Sequence, residues 1–185
     1  MKKILILFSG EGFNAQNIVK ELHEKDCEVV GAITNKKNAN GIQRLKKLSI
    51  HTQVLEHTKF DTREEFDTQL VSMINAHQVD LVVLSGFMRI LTEVFTSHVK
   101  SINLHPSLLP KYKGARAIEQ SFESGDLECG VSVHYVNSEL DGGDIIFQGS
   151  FARDENDDFE SFYAKIKKVE LQIMPEAIKK VLNQE

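Results

Sequence analysis

Cysteine is nearly absent from this chain: Cys27 and Cys129 are the only two in 185 residues. A disulfide framework needs more, and their spacing fits no zinc pattern. Two reduced thiols in a cytoplasmic protein is the expected state. Long apolar runs are missing too. The segment Val79 to Leu91 is broken by Asp80 and Arg89, and nothing approaches the length of a membrane span. The opening Met1-Lys2-Lys3-Ile4-Leu5-Ile6-Leu7-Phe8 resembles a signal peptide but stops at Ser9-Gly10-Glu11, too early for an apolar signal core. Excess positive charge is also lacking. Lys and Arg total 22 against 27 Asp and Glu, for a net charge of -5. That argues against a broad nucleic-acid footprint. Local anion sites stay open, because Lys111, Lys113 and Arg116 crowd one loop and Lys36 and Lys37 another. No repeat, low-complexity tract, linker or metal-ligand cluster is visible. What remains is ordinary globular composition, 41% hydrophobic and 26% charged, read as one domain over residues 1–185.

The periodicity alternates between two kinds of segment. Short apolar runs at Ile4–Phe8, Cys27–Ile33, Ile50–Leu55, Leu81–Leu84 and Val99–Leu104 read as strands, with Leu81–Leu84 central. Between them, Asn14–Lys25, Gly41–Leu48, a segment from Thr62 to about His77, and Thr92–His98 read as helices. Thr62 and Glu65 form a capping-box pattern, and Phe66, Leu70, Met73 and Ile74 face inward behind it. This β-α order implies right-handed crossovers and a parallel sheet. After Pro110 the pattern changes. Gly114–Ser124 reads as a helix. Gly130–Val136 and Asp144–Phe151 read as a hairpin through Asp141-Gly142-Gly143. A long helix lies within Asp157–Leu182, with Pro175 expected to kink or interrupt it.

Three groups of residues carry chemistry. Asn103 and His105 sit two apart, so they share one face at a strand's C-terminal end, where open α/β sheets bind ligands. Asp141 precedes two glycines. An amide, an imidazole and a carboxylate are a donor, an acid/base and an orienting acid, a set suited to acyl transfer through a tetrahedral intermediate. Ser9-Gly10-Glu11-Gly12-Phe13-Asn14 follows the first strand and opens the first helix. Backbone N–H groups there favour a phosphate. The spacing Gly10-x-Gly12-x-x-Ala15 also meets the looser dinucleotide fingerprint, but Ile33-Thr34-Asn35 closes the second strand without an acid. A phosphate monoester, a dinucleotide and a plain tight turn all stay open on this loop alone. His134, in an alternating strand, lines the site or packs; the other histidines are assigned no ligand role.

In order along the chain stand Gly10-x-Gly12-x-Asn14, Gly86-Phe87-Met88-Arg89-Ile90-Leu91, Asn103-Leu104-His105-Pro106-Ser107-Leu108-Leu109-Pro110 and Leu140-Asp141-Gly142-Gly143. Together they resemble the glycinamide ribonucleotide transformylases, the folate-dependent formyltransferase family of purine synthesis. The resemblance implies a Rossmann-like α/β formyltransferase fold, with a mostly parallel central sheet, an antiparallel C-terminal portion and helices on both faces. It implies formyl transfer from 10-formyltetrahydrofolate to the amine of glycinamide ribonucleotide. With the composition, the expectation is a cytoplasmic protein, monomer or homodimer, that uses no metal, nucleic acid or membrane. By resemblance, Asn103 and His105 hold the developing oxyanion, and Asp141 pairs with His105 and moves the proton. Gly12, Phe13 and Asn14 match the phosphate loop. Glu170 matches the ribose-binding acid, and Lys167, one turn before it, adds a phosphate contact. Met88, Arg89, Ile90 and Leu91 match the folate wall, with Asn103, Asn137 and Leu140 completing the cofactor site.

Two departures stand out. Phe13 occupies a position where the family commonly has Ser. The stretch Lys113-Gly114-Ala115-Arg116-Ala117-Ile118 looks more like the methionyl-tRNA and sugar formyltransferases. A sugar-nucleotide N-formyltransferase with the same donor is therefore the alternative reading. A non-catalytic nucleotide-binding module is the alternative from another class.

Overall fold

Every residue from Ile4 to Phe8 is fully buried, which is why strand β1 (Lys3–Phe8) is apolar from its second residue onward instead of alternating. The computed structural model describes residues 1–184. Strands β2 (Glu28–Thr34), β3 (Thr52–Val54), β4 (Leu81–Leu84), β5 (Ser101–His105), β6 (Glu128–Tyr135) and β7 (Ile145–Ala152) complete one sheet, in the order β3-β2-β1-β4-β5-β6-β7. The pairs β1/β2, β1/β4 and β2/β3 are parallel, and β6/β7 is antiparallel. The mixed α/β sheet expected from the sequence is therefore present, with Leu81–Leu84 in its middle place. By its contacts the chain forms two compact units, Met1–Ile102 and Asn103–Glu185.

In the first unit, helices α1 (Phe13–Leu22), α2 (Gly41–Lys46), α3 (Arg63–Asn75) and α4 (Glu93–Thr96) connect the parallel strands. The capping box at α3 forms in both directions: Thr62 Oγ1 accepts from Glu65 N–H, and the Glu65 carboxylate accepts from Thr62 N–H. Helix α1 stops at Leu22, three residues before the expected Lys25. Its chain turns there because the N–H groups of Lys25, Asp26 and Cys27 all return to the Leu22 carbonyl, with Glu24 at a φ of 59°.

In the second unit, α5 (Ala117–Glu123) begins three residues later than the sequence suggested. The cause is local: Gly114 (φ 79°) and Arg116 (φ 61°) are both left-handed, a conformation no helix tolerates in its interior. The hairpin β6–β7 forms as expected. Helix α6 (Phe159–Leu182) starts at Asp158, whose carboxylate accepts from Ser161 N–H, and runs unbroken through Pro175. The expected interruption is absent. Ile173, Met174, Pro175, Ala177 and Ile178 are all buried, and this apolar packing outweighs the lost N–H of one proline.

Candidate active site

Asn103 and His105 close strand β5, and Pro106 after them has no N–H with which to continue the ladder. The chain turns back at once. Ser107 N–H donates to the His105 carbonyl at 2.9 Å, and Ser107 Oγ donates to the Lys111 carbonyl at 2.5 Å. The buried Ser132 hydroxyl, on β6, donates to the Ser107 carbonyl (2.7 Å) and accepts from Leu109 N–H (3.0 Å). Gln148 on β7 donates to that hydroxyl (2.8 Å) and to the Leu109 carbonyl (3.1 Å). A polar spine thus holds the segment after His105 against the hairpin.

That hairpin's turn delivers Asp141 to the histidine. Asp141 Oδ2 lies 3.4 Å from His105 Nδ1 and accepts from Gly114 N–H at 2.7 Å. Its other oxygen, Oδ1, lies 3.5 Å from His134 Nε2. One carboxylate therefore stands between two imidazoles, and all three side chains are buried. Burial alone pushes the Asp141 carboxyl up. The contact with His134, the Gly114 N–H and the charge of His105 offset that and hold the group below the usual carboxylate range. Asp141 is itself left-handed (φ 52°), a conformation that Asp accepts more readily than most residues. Gly143 admits no side chain, because a Cβ there would collide with the Tyr135 carbonyl.

The backbone sets the hydrogen positions on both rings. His105 Nε2 is 2.8 Å from the Tyr112 carbonyl, and His134 Nδ1 is 2.8 Å from the Tyr135 carbonyl. A carbonyl only accepts, so each of those nitrogens carries the hydrogen. His134 Nε2 faces Asn103 Nδ2 at 3.2 Å as well as Asp141 Oδ1: it accepts from the amide when the ring is neutral and donates to the carboxylate when the ring is protonated. Asn103 keeps a second N–H on the same nitrogen. Tyr112 is in turn anchored by its own hydroxyl, which donates to Asp126 at 2.7 Å.

Lys167 and Glu170 pair on α6 at 3.0 Å, with the carboxylate buried and the ammonium also 5.1 Å from the Tyr163 ring. Asn137 and Leu140 are exposed before the Asp141 turn, and Asn137 Oδ1 accepts from Glu139 N–H. In the first unit, Gly12 is left-handed (φ 72°), and a Cβ there would lie 2.6 Å from Gly41 Cα, so glycine is required on two counts. Phe13 is exposed and carries the Arg44 guanidinium 3.9 Å over its ring; Arg44 also donates to the Glu11 carbonyl and pairs with its carboxylate. Asn14 is half-buried. Met88 and Ile90 are exposed, while Arg89 and Leu91 are half-buried. Among the described residues, no group of three or more His, Cys, Asp or Glu is arranged to hold a metal ion, and no helix is long and apolar enough to cross a membrane.

Sequence reasoning left His134 undecided and passed over Tyr112, Gly114 and Ser132. Parity in the strand cannot place His134, because β6 is buried on both faces. The pairing with β7 shifts register between Val133 and His134, and irregularities of that kind leave little trace in a sequence.

A family profile described as "Formyl transferase" matches residues 2–178. The chain belongs to the formyl transferase family. Within it, the phosphoribosylglycinamide formyltransferase of Haemophilus influenzae is 39% identical over 97% of this chain and 86% of its own length. The Escherichia coli phosphoribosylglycinamide formyltransferase is 43% identical over 84% of this chain and 76% of its own. A crystal structure of the Campylobacter jejuni phosphoribosylglycinamide formyltransferase superposes with a TM-score of 0.96 at 48% identity, covering 98% of this chain and 97% of that one. These relatives favour neither a sugar-nucleotide formyltransferase nor a non-catalytic nucleotide-binding module.

Proposed function

We infer that this formyl transferase moves the formyl group of 10-formyltetrahydrofolate to the amine of 5'-phosphoribosylglycinamide in purine biosynthesis. The observation that carries the mechanism is the Asp141 carboxylate set between His105 and His134, with the Asn103 amide oriented by His134. The amine nitrogen attacks the formyl carbon and the carbonyl becomes an oxyanion. The free N–H of Asn103 meets that oxyanion as a donor. His105 supplies a second donor once its Nε2 leaves the Tyr112 carbonyl, and Asp141 stabilises the imidazolium. The proton lost by the attacking amine passes by way of Asp141, through water, to N10 of the folate. The carbon–N10 bond then breaks, giving tetrahydrofolate and the formylated amide.

In this reading Gly12, Phe13 and Asn14 present backbone N–H groups to the ribonucleotide phosphate at the start of α1. Lys167 adds charge to that ligand, and Glu170 accepts from its ribose hydroxyls. Met88, Arg89, Ile90 and Leu91 are the folate-binding residues of the first unit, which fits the exposure of Met88 and Ile90; Asn137 and Leu140 are those of the second, which fits the exposure of Leu140. Phe13 removes a hydroxyl but not its N–H. The reading treats residues 1–185 as a single formyltransferase domain, cytoplasmic, monomeric or homodimeric, acting on small molecules, and uses no metal. The deciding experiment incubates the purified protein with both substrates and follows tetrahydrofolate release. Folded protein that gives none with this amine, but turns over a sugar-nucleotide amine, transfers the assignment to the alternative acceptor.

A further inference from the structure

Ser9 is buried immediately before the glycine loop, and both hydrogen-bonding functions of its hydroxyl are engaged. Its Oγ accepts from Met88 N–H at 2.7 Å and donates to Asn35 Oδ1 at 2.6 Å. Its own N–H donates to the Gly86 carbonyl at 3.0 Å. The turn Gly86–Met88 is therefore held at both ends by one residue. Behind it, Asn35 Nδ2 contacts His57 Nδ1 at 3.2 Å, which fixes the amide with its oxygen toward Ser9. One residue further on, the Gly10 carbonyl accepts from Gly41 N–H, so the glycine loop is tied to α2 as Met88 is tied to Ser9.

We propose that Ser9 is a positioning residue that couples the two ligand loops of the first unit, so that filling the Gly12–Asn14 loop with a phosphorylated ligand tightens binding of a pterin cofactor at Met88–Leu91. The coupling rests on the functional reading above, which assigns those loops to the two substrates. Its physical basis is that neither loop shifts at Ser9 without lengthening the 2.7 Å or the 3.0 Å bond to the other. A change in affinity transmitted this way is reciprocal. The exposed Met88 side chain sits on a backbone whose N–H is held by the Ser9 hydroxyl, while Ser85 N–H, at the start of the same segment, donates to the Leu7 carbonyl at 2.9 Å. Coupling by one buried hydrogen-bonded junction is worth roughly a tenfold change in affinity.

The test uses the unreactive pair of tetrahydrofolate and glycinamide ribonucleotide in calorimetry. In the unmodified protein, saturating ribonucleotide lowers the dissociation constant of tetrahydrofolate by about tenfold, and the reverse titration gives the same factor. In Ser9→Ala that factor falls to about one, while ribonucleotide binding measured alone keeps its affinity. Ser9→Thr, which retains the hydroxyl, restores the coupling. Should Ser9→Ala not fold, Ser9→Cys carries the same expectation, since a thiol is a weak acceptor. An undiminished factor in Ser9→Ala or Ser9→Cys, or a factor of one in the unmodified protein, overturns the coupling. Failure of the unmodified protein to bind tetrahydrofolate at all overturns the functional reading instead.

Discussion

His134 Nε2 lies 3.5 Å from Asp141 Oδ1, on the side of the carboxylate away from His105. The ring also orients Asn103, so one imidazole touches two of the three residues assigned to the reaction. Replacing it with alanine frees the Asn103 amide to rotate and leaves Asp141 one polar neighbour fewer. The expected result for His134→Ala is a fall in kcat of about 10²-fold, with the KM of both substrates changed far less, because misplacing reacting groups costs rate more than ground-state binding. Steady-state kinetics checks it. A rise in KM with kcat preserved would move His134 out of the reaction and into substrate binding.

Asp141 has its carboxyl held below the ordinary carboxylate value. A depressed folded-state pKa stabilises the fold above the unfolded value, about 3.9, and that stabilisation disappears as the pH falls through the folded value. The gap in unfolding free energy between the unmodified protein and Asp141→Asn is therefore expected to hold down to about pH 5 and to close only below the ordinary carboxylate value. Urea denaturation at a series of pH values measures it. A gap that closes between about pH 6 and pH 5 contradicts the direction of the shift.

Gly143→Ala forces a methyl group into the Tyr135 carbonyl. That carbonyl also holds His134 Nδ1, so relief of the clash moves the histidine. We expect a loss of ~1–3 kcal/mol in stability together with a fall in kcat resembling that of His134→Ala. Thermal unfolding and kinetics on the same preparation decide whether the two losses travel together.

Asp67 is buried on α3 and accepts from both the N–H (2.6 Å) and the hydroxyl (2.8 Å) of Thr92, the residue that opens α4. Burial raises its pKa, against the Thr92 donors and Arg89. Asp67→Ala leaves two donors without that acceptor, for a cost of about 1–3 kcal/mol, and loosens the chain that follows Met88–Leu91. The accompanying change is a weaker tetrahydrofolate affinity, read by calorimetry. An unaltered affinity separates this clamp from the folate wall.

Cys27 is buried, and its thiol is pushed up to about 11 by that burial and by Asp26. The native protein should therefore react with iodoacetamide at Cys27 orders of magnitude more slowly than the urea-unfolded chain, as mass spectrometry of the labelled peptide would show.

Legibility in the sequence followed burial and local chemistry. Ile4–Phe8 and Leu81–Leu84 announced themselves as covered strands because a strand buried on both faces must be apolar throughout. Thr62 and Glu65 marked the start of α3 because a capping box is complete within four residues. The meeting of Asn103, His105 and Asp141 came from motif order, and the strand rule explained only the first two. What stayed hidden depended on backbone shape. The late start of α5 follows from left-handed Gly114 and Arg116, and His134 stands where the β6–β7 pairing shifts register. Pro175 misled because its penalty is local while the packing that overrides it spans a whole helix face.

Asn103, His105, His134 and Asp141 all fall in one contiguous piece of chain, whereas the Gly12 and Met88 loops lie before it. A recombination event with both crossovers outside that piece would carry these four side chains together, along with the Tyr112 and Tyr135 carbonyls that face the two histidines. Lineages descended from such an event would inherit that cluster as one block while the two earlier loops changed independently.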